Sequence, residues 1–117
     1  MNEEQLKERT KEFAKNIIQL CRDLPNNREG RLIGDQMFRS GTSVAANYRA
    51  ACRGRSKAEF VSKLAIVEEE ADETMFWLEV INEMSIYEEP VVENLIKESD
   101  EIIAIIVSSI KTIKKNR

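Results

Sequence analysis

The residue types most able to do chemistry in this chain are five cations: Arg39, Arg49, Arg53, Arg55 and Lys57. They fall in residues 28–57, which hold seven Lys/Arg against two acids, Glu29 and Asp35. Two residues of helix turn about 200°, so Arg39, Arg49 and Arg53 fall on the side of their helix away from Asn47. Cations on one face can track the phosphates of a nucleic acid. The plainer use is a solvated helix face, with terminal lysines favoured by the helix dipole. No stripe of exposed aromatics flanks the arginines, so contact would be to backbone phosphate rather than to stacked bases. The run KTIKKNR adds Lys111, Lys114, Lys115 and Arg117.

A second group is acidic, EEEADE at 68–73. Helical steps of four and three put Ile66, Glu70, Glu73, Trp77, Val80 and Met84 on one stripe beside the core seam. If the helices on either side of Arg55 fold back on each other, Arg39 levels with 71–73. Pairing of Arg39 with Asp72 or Glu73 is then expected, at about 0–1 kcal/mol per exposed pair. The sharper expectation is a subunit edge, where Glu70, Glu73, Trp77 and Val80 meet a neighbouring copy and the acids pair with that partner's arginines. Paired carboxylates can also bind divalent ions. With no histidine and no facing carboxylate pair, no metal is expected. Asn47, with Ser40 and Ser43, places polar groups in a seam, which costs stability unless they are hydrogen-bonded. Backbone or water can satisfy the amide, or Asn47 can fix helix register as a buried Asn does in coiled coils.

The absence of histidine removes His-based triads and the usual helical zinc and di-iron sites. No nucleophile–base pair and no phosphate-binding glycine loop is present, so no catalytic residue and no cofactor is assigned, and a non-enzyme is expected. Cys21 and Cys52 lack CxxC spacing and read as small core residues in a reducing compartment. The charged start MNEEQLKERTKEF has no apolar signal core, and IIAIIVSSI is too short to span a bilayer. A cytoplasmic protein without a membrane partner is expected. The net charge of −3 is not a nucleic-acid-binding signature for the whole chain, so any such role must be local.

These groups need elements to hold them. The 117 residues, 42% hydrophobic and 33% charged with only 4 Gly and 2 Pro, suit one loop-poor helical domain, residues 1–117. Leu6, Phe13, Ile17, Leu20 and Leu24 predict a helix over 3–23, stopped by Pro25. A second helix over 28–53 carries the slim seam Ile33, Met37, Ser40, Val44, Asn47, Ala51 and Gly54. Gly54 suits a left-handed helix end, and Ser56 with Glu59 suits a capping box. A third helix over 57–86 has the seam Phe60, Leu64, Val67, Ala71, Thr74, Leu78 and Ile81. A fourth starts near Pro90 with Val92, Ile96, Ser99, Ile103, Ile106, Ile110 and Ile113, widened by Ile102 and Ile105. Short connections favour an all-α, up-and-down antiparallel four-helix bundle. Leu/Ile seams on the first and fourth helices would complement the slim second one.

The string QMFRSGTSVAANYRAACRGRSKAEFVSKLAIVEEEADETMFWLEVI resembles the 23S rRNA intervening sequence proteins, often called 23S ribosomal proteins. The resemblance rests on Gln36, Arg39, Ser43, Val44, Asn47, Ser56, Glu59, Phe60 and Glu73, with Leu24-Pro25 before them, and covers roughly residues 10–110. Many relatives carry an acid shortly after the Asn. Here the run is Asn47, Tyr48, Arg49, Ala50, Ala51, which is similar to a branch with ANYRAA. The resemblance implies a four-helix bundle assembling as a homopentamer, and kinship with a retroelement accessory protein that binds nucleic acid and a reverse transcriptase. RNA or DNA is the partner this implies. The alternative is a protein-interaction scaffold whose arginines are consumed by Glu70 and Glu73 at a subunit interface.

Overall fold

The chain is described by a computed structural model covering residues 1–116. Arg117, the last member of the terminal basic run, lies outside the described residues. Local signals set most helix boundaries. Asn2 caps α1 (Glu3–Asp23) in a reciprocal box, its Oδ1 accepting from Gln5 N at 2.8 Å while Gln5 Oε1 accepts from Asn2 N at 3.1 Å. Leu24 ends α1 in an extended conformation before Pro25. Asn27 caps α2 (Arg28–Cys52), accepting from Gly30 N. Ser56 caps α3 (Lys57–Glu83), accepting from Glu59 N at 3.1 Å. The expected box is stretched by one residue there, because the Glu59 carboxylate accepts from Arg55 N at 2.8 Å. Pro90 opens α4 (Pro90–Lys115).

The four helices form an up-and-down bundle about 49 × 20 × 19 Å. Each packs on its neighbour in sequence, α1 and α4 meet only lightly, and the diagonal pairs α1/α3 and α2/α4 do not approach. The slim α2 seam therefore complements α1 and α3, not α4. Gly41 lies so near α1 that an added methyl would stand 2.7 Å from Ile17 Cγ2. At mid-bundle the buried hydroxyls of Ser40 and Thr74 lie 2.8 Å apart, and Thr74 Oγ1 is 2.7 Å from the Glu70 carbonyl. Thr74 has one proton, which it donates to that carbonyl, so Ser40 donates to Thr74. This pair fixes the register of α2 against α3.

Several expectations are corrected. Asn47 is half-buried outside the seam and donates to the Ser43 carbonyl within its own helix, 2.9 Å away. Tyr48 takes its place at 3% exposure, because burying a ring stabilises more than burying an amide. Gly54 has no left-handed conformation. The left-handed residue is Ser85 (φ 52°), which ends α3 at Glu83, before the expected 86. Ser85 N donates to the Asn82 carbonyl and Ile86 N to the Ile81 carbonyl, a Schellman arrangement. On α4 the buried face is Val92, Leu95, Ser99, Ile102 and Ile106, while Ile96, Ile103, Ile110 and Ile113 are half-buried. Phe60 is half-buried as well.

Candidate nucleic-acid interface

The five cations do not share one face. Arg39 leans to α3, its Nη1 2.8 Å from Glu70 Oε2 and its Nη2 2.6 Å from Glu73 Oε2. Glu73 also accepts from Trp77 Nε1 at 3.3 Å. The hydrogen bonds that Arg39 donates to Glu73, then Glu70, raise the guanidinium pKa, so Arg39 stays charged and is engaged by its own chain. The expected pairing with Glu73 is present, while Asp72 is exposed and takes no part. Within the chain, one guanidinium is thus shared by two carboxylates.

Arg49 lies about 15 Å further along α2 and on the α1 side. It lines a shallow groove with Glu4, Lys7, Glu8 and Lys11, a surface of mixed sign in which Lys7 pairs with Glu4 at 3.3 Å. Arg53, Arg55 and Lys57 are exposed at the α2–α3 turn and make no ion pair among the described residues. Arg55 and Lys57 line an open depression of about 510 Å³ with Thr112 of α4, Asn116 just after it and Glu3 of α1. Lys57 lines a second depression with Lys114. The turn thus draws in a cation that the segment 28–57 does not contain. The signal for it is length: α3 and α4 are nearly equal and antiparallel, so the end of α4 must return to the start of α3. Helix dipoles cancel at this end, where α1 and α3 begin while α2 and α4 finish, so side chains set its potential.

The opposite end carries exposed Asp23, Glu83, Glu88, Glu89 and Glu93 alongside Arg22, Arg28 and Arg31. The bundle is therefore polar along its axis despite its small net charge. Cys52 borders the basic end, and burial pushes its thiol pKa up, so it supplies no thiolate there. No group of His, Cys, Asp or Glu suited to a metal occurs among the described residues, and none of their helices is long and apolar enough to cross a membrane.

The remaining predicted residues lie on the outer α2–α3 flank. Trp77 and Val80 are half-buried. Phe76 packs edge-on against Trp77 with ring centres 5.0 Å apart and is 53% exposed. Leu32 and Met84 on this flank are also exposed. Phe76 and Leu32 were missed because the stripe was drawn on α3 at strict helical steps and took no account of α2.

A crystal structure of a protein of unknown function from the S23 ribosomal protein family of Bacteroides thetaiotaomicron VPI-5482 is similar to the chain. Its TM-score is 0.87 at 35% sequence identity, covering 95% of this chain and 99% of that one. No curated protein matches the chain. The model of the 23S rRNA-intervening sequence protein family matches residues 2–108. With nearly the whole length matched and the bundle shared, the chain belongs to the 23S rRNA-intervening sequence protein family.

Proposed function

We propose that this chain is a non-enzymatic bundle that holds nucleic-acid phosphates, RNA first, on the end formed by the α2–α3 turn. One observation carries the reading: Arg53, Arg55 and Lys57 stand exposed without ion pairs among the described residues, and α4 brings Lys114 beside them. Arg39 is left out because its charge is spent on Glu70 and Glu73. Arg49 contributes less, since acids of α1 surround it. The test is binding of a structured RNA over a salt series. Affinity should fall steeply with salt. The log–log slope should become shallower by about 1 for each of Arg53→Ala and Arg55→Ala, and stay unchanged for Arg39→Ala. A salt-independent affinity sinks the proposal.

A second reading, a protein-interaction scaffold or self-assembling ring, is favoured by the exposed apolar strip of Leu32, Phe76 and Met84 beside Trp77 and Val80. This reading takes up the pentamer that the resemblance implies.

A further inference from the structure

We infer that the nucleic acid is a duplex met end-on through its backbone, with neither base stacking nor groove readout. This rests on the phosphate-binding reading above. Three features of the basic end carry it.

The first is the lack of a stacking surface. Single-strand binders hold bases on aromatic side chains. The exposed rings here are Phe38 and Phe76, 15 and 19 residues from Arg53 and Lys57 on their helices, or roughly 22 and 28 Å. Phe60 borders the basic depression but packs against the core.

The second is shape. The end of the bundle is about 20 Å across at the backbone, because α2 and α3 turn beside the end of α4. The major groove of B-form DNA is about 12 Å wide and admits one helix or a ribbon, and that of A-form RNA is narrower still. A blunt end of this width rests across phosphates and does not enter.

The third is charge. Arg53, Arg55, Lys57, Lys114 and Lys115 are exposed cations on long, flexible side chains, and none of them makes an ion pair among the described residues that would hold it in one orientation. A duplex carries one charge per about 1.7 Å of axis, more densely than a single strand. If about five phosphates are met, log affinity falls with log salt at a slope near −4.5 for duplex and −3.5 for single strand. At 0.1 M salt that difference alone favours the duplex by about tenfold.

The experiment is fluorescence anisotropy of the full chain with three probes of equal phosphate count: two RNA hairpins of unrelated sequence and one unpaired pyrimidine oligonucleotide. The hairpins should bind within about threefold of each other and about tenfold tighter than the oligonucleotide. Lys114→Ala should lower the slope by about 1, while Lys97→Ala, the same charge change near the acidic end, should not. The inference is overturned, with the phosphate reading intact, by any of three results: an oligonucleotide within about threefold of the hairpins, hairpins more than about tenfold apart, or equal effects of the two lysine variants. Binding of none of the probes overturns both.

Discussion

A methyl group added at Gly41 would stand 2.7 Å from Ile17 Cγ2, shorter than real contacts, and 3.1 Å from Ile17 Cβ, a tight one. At Gly34, about two turns earlier on the same helix, it would meet only Leu24 Cδ1 at 3.7 Å, an ordinary contact. Both positions are helical, so each Gly→Ala change gains about 0.8–1 kcal/mol of helix propensity. At Gly41 overpacking costs about 1–3 kcal/mol and wins. Gly34→Ala is therefore expected to raise the urea midpoint and Gly41→Ala to lower it, with unchanged m-values. Shifts of the same sign would show that α1 and α2 are free to separate. The same small residues that make α2 look unfinished in sequence let α1 approach it.

At the scale of the element, the helix starts were legible and one helix end was not. Asn27, Ser56 and Pro90 are chemically committed to starting helices, and Pro25 to stopping one. The end of α3 has no such residue, because Ser85 occupies the left-handed position that glycine usually holds. Ser85→Gly should relieve that conformation, offset in part by a freer unfolded chain. We expect a gain of about 0.5–1 kcal/mol, read as a thermal midpoint higher by about 3 °C. A lower midpoint would mean that the serine side chain stabilises the turn. The buried face of α4 was illegible for another reason. Its isoleucines at 102, 103, 105 and 106 leave several seams open, and only the packing on α3 chooses Leu95 and Ile102. The cation group was half legible: each residue could be named, and so could the pairing of Arg39 with Glu73, but not that Glu70 would join that pair within the chain or that α4 would deliver Lys114.

Across the whole molecule, charge and apolar surface occupy different places, and this makes the two proposed roles separable. Ser40 levels with Thr74, so Leu32, eight residues earlier, levels with residue 82, between Val80 and Met84. Leu32, Phe76 and Met84 are 56%, 53% and 68% exposed, forming an apolar strip along the α2–α3 flank. On this flank Arg39 pairs with both Glu70 and Glu73, so its guanidinium keeps partners when the flank loses water, while the cluster retains a net negative charge. A second copy of this chain is the partner this favours, since a strip this apolar seldom stays open to water. Phe76→Glu puts a carboxylate in the strip at a position more than half exposed, so the bundle itself should keep its far-UV circular dichroism. In sedimentation velocity the wild type should run as an oligomer and Phe76→Glu as the 13.5 kDa monomer, while Lys114→Ala keeps the wild-type assembly. An oligomer that survives both Phe76→Glu and Met84→Lys is held by another face, and the flank would then be free for a different protein.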